Sequence, residues 1–134
     1  MKIVLDTKVF VSGVFFSGPP YQILQAWRED KFQLAVSPEI LEEYRRVGGI
    51  LAEDHPAIDL EPVLEFVIQN AVVFSAASLS EPVCDDPDDD KFLACALASG
   101  GDVIVSGDKH LLDVSGYRDI EIPRPRDFVN KYLG

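Results

Sequence analysis

A chain of 134 residues holds one domain of ordinary size, expected to span residues 1–134, with too little length for a second. Its 47% hydrophobic residues suffice for a core, yet no apolar run is long enough to cross a bilayer. With 12 Lys and Arg against 23 Asp and Glu, the formal charge of −11 gives no overall field that attracts a polyanion.

The opening Met1-Lys2-Ile3-Val4-Leu5-Asp6 reaches a charge too early for a signal-peptide core and reads as a first strand. Asp6-Thr7 then suggests a capped turn. Pro20, Ile23, Leu24 and Trp27 fall at helical spacing and predict a helix over 19–30. Gln33 to Val36 is a second strand. Ser37-Pro38 supplies an N-cap and a proline at the first helical position, ahead of the stripe Ile40, Leu41, Tyr44 and Val47. Gly48-Gly49 is expected to end or fray that helix. Leu60, Val63, Leu64, Val67 and Ala71 predict another amphipathic helix, followed by a strand at Val72-Val73-Phe74.

Six acids lie in the ten residues Glu81 to Asp90, either as a solvated, self-repelling loop or as the shell of a hard cation. Beyond them, Phe92, Leu93, Ala96 and Leu97 mark a helix stopped by Gly100-Gly101. Val103-Ile104-Val105 has the pattern of a strand buried on both faces, ending at Ser106-Gly107-Asp108. A short helix near Lys109, a weak strand at Ile120–Ile122 and a terminal helix over 126–133 complete the chain. Cys84 and Cys95 make neither a metal spacing nor a disulfide framework, and Cys95 reads as a small buried thiol. A cytoplasmic location is therefore expected. Strands alternating with helices predict an α/β fold with a mostly parallel sheet covered on both faces.

In such sheets ligands bind outside the carboxyl ends of the strands, where Asp6 and Asp108 fall. Either Asp alone reads equally as a turn or capping residue; the pair at two strand ends is a better signal. Glu43 lies at the edge of its helix's apolar stripe, roughly 90° from the centre at 100° per residue, and reads equally as a solvated boundary residue or as a carboxylate within reach of a crevice beside the sheet. Glu42 lies nearly opposite the stripe and is expected to pair with Arg46. In Asp85-Asp86-Pro87-Asp88-Asp89-Asp90, Pro87 fits the first helical position, with Asp86 as N-cap. Helical phase turns Asp89 inward in line with Leu93 and Ala96, making it the preferred metal ligand and Asp90 the alternate. Converging carboxylates would repel one another, and Mg²⁺ or Mn²⁺ would relieve this through oxygen ligands. No Ser-His-Asp or Cys-His set is apparent; His55 and His110 read as surface residues, His110 near enough to Asp108 to contact a substrate. Among Arg45, Arg46, Lys91, Lys109, Arg124 and Arg126, none stands out from ordinary surface charge.

Val4-Leu5-Asp6-Thr7, Ser37 to Tyr44, Asp86 to Leu93 and Ile104 to Asp108 resemble, in order, the four motif regions of PIN domains. The resemblance covers nearly the whole chain, in particular to toxin components of toxin–antitoxin systems akin to VapC-like toxins. It implies a three-layer α/β/α sandwich, Mg²⁺- or Mn²⁺-dependent RNA hydrolysis, frequent homodimers and inhibition by a cognate antitoxin. The family's acids map onto Asp6, Glu43, the Asp89/Asp90 position and Asp108, and Ser106 matches an accompanying hydroxyl. Where the family's first motif continues Asp-Thr-Asn, this chain has Asp6-Thr7-Lys8. Lys8 turned inward would pair with Asp6 and weaken metal binding; turned outward it would meet RNA phosphate or nothing.

Two readings of function follow. The first is a metal-dependent endoribonuclease, the toxin of a toxin–antitoxin pair. The second is a PIN-like RNA- or protein-binding module with catalysis weakened by Lys8. A phosphatase of the haloacid-dehalogenase type needs a second Asp two residues beyond Asp6, where Lys8 stands, and ranks well behind both.

Overall fold

The computed structural model describes residues 1–134. Four short strands, β1 (Lys2–Leu5), β2 (Gln33–Val36), β3 (Val72–Val73) and β4 (Val103–Val105), form one parallel sheet in the order β3-β2-β1-β4. Pairing is fixed by Ile3 against Leu34 on one side of β1 and by Leu5 against Val105 on the other. Residues 3–5, 34–36 and 103–105 are all buried, as strands covered on both faces require.

Between β1 and β2 run α1 (Thr7–Phe15) and α2 (Pro19–Arg28); between β2 and β3 run α3 (Pro38–Asp54) and α4 (Leu60–Asn70). These crossovers advance in one direction along the sheet, so right-handed connection places α1–α4 on one face. The return from β3 to β4 reverses direction and carries α5 (Asp90–Ser99) to the opposite face. A short α6 (Lys109–Leu112) follows β4. The last helix, α7 (Pro125–Phe128), continues as a wider turn over Val129–Leu133. The result is the expected α/β sandwich about a parallel sheet. No helix is long and apolar enough to cross a membrane.

Four elements differ from the sequence expectation. The turn at Asp6-Thr7 opens a full helix, α1, which lacks an amphipathic signature because Thr7, Val9, Phe10, Val11, Gly13 and Phe15 are all buried. Gly48-Gly49 does not end α3, which runs on to Asp54. Gly48 instead allows α4 to approach: a Cβ there would lie 2.9 Å from Leu60 Cδ2. The strand expected at Ile120–Ile122 reduces to a single parallel bridge between Val103 and Glu121. His55 is half-buried, its ring 5.2 Å from that of Phe16 and its Nδ1 3.0 Å from the Leu51 carbonyl oxygen.

Elsewhere the local chemistry acts as anticipated. Gly100 closes α5 at φ 69°, a left-handed C-cap. Ser37 caps α3, its hydroxyl accepting the Ile40 N–H at 3.3 Å ahead of Pro38. Ser37→Ala is expected to destabilise the protein by about 1 kcal/mol, read as a lower midpoint in urea with an unchanged slope.

Candidate metal centre

Asp6 follows β1 directly and is the N-cap of α1, its Oδ1 accepting the Val9 N–H at 2.8 Å. Its Oδ2 accepts the Ser106 hydroxyl proton. The Ser106 oxygen in turn accepts the Asp108 N–H at 2.9 Å, and Asp108 Oδ1 caps α6 by accepting the His110 N–H at 2.8 Å. The ends of β1 and β4 are thus tied through one relay of Asp6, Ser106 and Asp108. Asp6 is 4% exposed and Ser106 wholly buried. Burial pushes the Asp6 carboxyl above its ordinary range against the hydrogen bonds from Ser106 and Val9, and the Asp108 charge adds to the rise.

Asp89 closes the single 3₁₀ turn Pro87–Asp89, which Asp86 caps by accepting the Asp88 N–H at 3.0 Å. Its Oδ2 is buried without any hydrogen-bond partner. Desolvation first, then the charges of Asp108 and Asp86, push its carboxyl up to about 6. An orphaned buried carboxylate oxygen is costly, and such groups call for a ligand or a reason. Asp90 has neither problem: it accepts the Val83 N–H at 3.2 Å and the Cys84 N–H at 2.8 Å, fastening the preceding loop onto α5. It does not line the crevice that Asp89 faces.

Glu43 reaches the same crevice from α3, its side chain 12% exposed. Both of its oxygens are engaged. Thr7 donates its hydroxyl to Oε2, and Lys91 Nζ lies 2.8 Å from Oε1. Beneath the site Tyr44 stacks on Phe10 with ring centroids 4.1 Å apart, and its hydroxyl donates to the Leu5 carbonyl at 2.6 Å. That contact locks α3 and α1 to the end of β1 and so fixes Glu43 relative to Asp6.

Asp6, Glu43, Asp89 and Asp108, together with Thr7 and Lys8, line one cavity of about 180 Å³ at the carboxyl ends of β1 and β4. The expected convergence of four carboxylates on one crevice is therefore present. As they stand, no three carboxylates or other ligating side chains are grouped tightly enough to enclose a metal ion. The all-oxygen donor set and the orphaned Asp89 Oδ2 nonetheless fit a hard divalent ion, which completes its shell with water. A larger cavity of about 380 Å³ lies beside the crevice, under the loop 76–82, and Lys91 lines it.

Of the two orientations open to Lys8 the structure has the outward one: it lies exposed on α1, forms no ion pair, and its charge only mildly favours ionised Asp6. Two other charge assignments differ from the sequence expectation. The lysine that engages the acids is Lys91, which nothing in its sequence context separates from other surface lysines. Arg46 lies 3.7 Å from Glu43 rather than pairing with Glu42. Cys84 and Cys95 are both buried free thiols that burial holds up at about 12, which keeps them inert.

A parallel α/β sheet with an acidic crevice outside the carboxyl ends of its strands, at the point where the strand order reverses, places this chain among α/β proteins with a ligand site at the switch point. A PIN-domain model matches residues 2–110, and the chain belongs to the PIN domain family. PIN domains are nucleases that typically use divalent metals. No curated protein and no solved structure gives a match.

Proposed function

We propose that this protein is an endoribonuclease that hydrolyses RNA phosphodiesters with Mg²⁺ or Mn²⁺ and serves as the toxin of a toxin–antitoxin pair. The observation that carries the nuclease reading is the shared crevice of Asp6, Glu43, Asp89 and Asp108, with one carboxylate oxygen left unpartnered. Asp6, Asp89 and Asp108 would hold the cation, with Glu43 joining from α3. When bound, the cation lowers the pKa of a coordinated water and offsets the charge developing at phosphorus.

The chain's own groups do the positioning. Ser106 holds the Asp6 carboxylate by its hydroxyl proton and the Asp108 backbone N–H by its oxygen, which ties the two strand ends together. Thr7 orients Glu43. Lys8, exposed at the rim, is free to meet a phosphate of the RNA strand. The net charge of −11 implies weak general attraction for RNA, so recognition rests on local contacts. The toxin role, a cognate antitoxin and a homodimer rest on the resemblance of the four motif regions to toxin components.

Purified protein incubated with structured RNA is expected to give discrete fragments in Mn²⁺ and intact RNA in excess chelator. Intact RNA under both conditions, with no thermal stabilisation by millimolar Mn²⁺, overturns the nuclease reading. That result would favour a PIN-like binding module. The engagement of both Glu43 oxygens by Thr7 and Lys91 is the observation on its side.

A further inference from the structure

Lys91 sits one residue into α5, with 19% of its side chain exposed and its stem packed into the protein. Its Nζ lies 2.8 Å from Glu43 Oε1 and 3.1 Å from Asp88 Oδ1. The two partners differ. Glu43 is a part-buried carboxylate of the crevice, whereas Asp88 is 69% exposed on the neighbouring turn and lines the larger cavity. Lys91 therefore stands on the wall between the acidic crevice and that cavity, holding one carboxylate of each. Burial works to lower the Lys91 ammonium, and the bonds to Glu43 and Asp88 outweigh it.

Each Glu43 oxygen already accepts one hydrogen bond, Oε2 from Thr7 and Oε1 from Lys91. Arg46 adds only an exposed, screened charge at 3.7 Å. A divalent ion approaching Glu43 Oε1 meets an ammonium already placed there, and the two cations repel.

Resting on the metal-dependent reading above, we propose that Lys91 is a positioning residue that gates Glu43. It holds Glu43 back from the metal until the ion arrives, then retains Asp88 and releases Glu43. The second partner makes the exchange inexpensive, because Lys91 is never left as a part-buried charge without a counter-ion. The released ammonium sits beside the crevice, where it can meet the phosphate of a bound strand.

Calorimetric titration of Mn²⁺ into the whole protein, without RNA, tests this. Lys91→Met keeps most of the stem's packing and is expected to bind Mn²⁺ about tenfold tighter than wild type, the size of one strong charge-assisted contact. The gain should vanish in a Glu43→Gln background. Lys91→Arg should stay close to wild type. Lys91→Gln, uncharged but able to donate to Glu43, should fall between and guards against a folding failure of the methionine variant. In chelator Lys91→Met should melt below wild type, yet show the larger rise on adding Mn²⁺. A merely structural lysine would lower both melting temperatures equally.

Unchanged or weaker Mn²⁺ binding in Lys91→Met overturns the gate while leaving the metal site standing, provided Asp6→Asn abolishes binding. An equal gain with Glu43→Gln present overturns it too, since the effect is then the general field of one lost cation. If neither wild type nor any Lys91 variant binds Mn²⁺, the gate and the metal-dependent reading fall together.

Discussion

Asp6→Asn is expected to abolish RNA cleavage, by about a thousandfold or more, and to erase the thermal stabilisation by Mn²⁺. A thousandfold corresponds to about 4 kcal/mol of transition-state stabilisation, within what a metal-bound site supplies. An ion at a hundred times its Kd stabilises the native state by about 2.7 kcal/mol, so the wild-type Tm should rise by several degrees. The substitution keeps the shape of the side chain. Asn caps helices as well as Asp, so the contact with the Val9 N–H is retained. The new amide would donate to the Ser106 oxygen, at the cost of the acceptor that Asp6 offers the Ser106 hydroxyl proton. Burial already opposes the Asp6 charge and its removal offsets the lost Ser106 bond, so without metal the variant should melt close to the wild-type temperature. A Tm well below wild type in chelator would show that the Asp6 carboxylate stabilises the fold through its bond from Ser106. Retained cleavage would remove it from the chemistry altogether.

The sequence made the ends of β1 and β4 legible because a short apolar run followed by Asp is the same pattern twice, at Asp6 and Asp108. Helical phase likewise turned Asp89 inward, and the structure finds it facing the crevice while Asp90 turns to the Val83 and Cys84 amides. What escaped notice has a common physical cause. Helix α1 is buried on most of its circumference, so it carries no stripe to count. Gly48 looked like a stop signal because sequence shows the missing side chain but not the Leu60 that fills its place. Lys91 looked like surface charge because its partner Glu43 lies 48 residues away. Periodicity reports on which face of an element is apolar. It says nothing about which distant charge that face will meet, and in this site the long-range pairs decide which carboxylates are free.

Asp89→Asn should combine loss of cleavage with a gain in stability. The folded protein holds the Asp89 proton up to about 6, whereas the ordinary value is 3.8, so the native state binds more protons than the unfolded chain between those limits. The wild type must therefore lose stability as pH rises through that window, and the penalty is fully present above it. Asn carries no charge to desolvate and no repulsion with Asp108. At pH 7 in chelator the variant should be more stable by about 1 kcal/mol, allowing for solvent screening of a partly exposed group. The advantage should shrink as the pH is lowered through 6 and be gone below about 4, where both forms are neutral. Mn²⁺ should reverse the order at pH 7, because only the wild type then gains a ligand for the orphaned Oδ2. Melting curves at pH 4.5 and 7, each with and without Mn²⁺, separate the possibilities. A variant less stable than wild type at pH 7 in chelator would mean that Asp89 stabilises the fold. One more stable than wild type but still fully active would mean that the unpartnered oxygen is not where the ion binds.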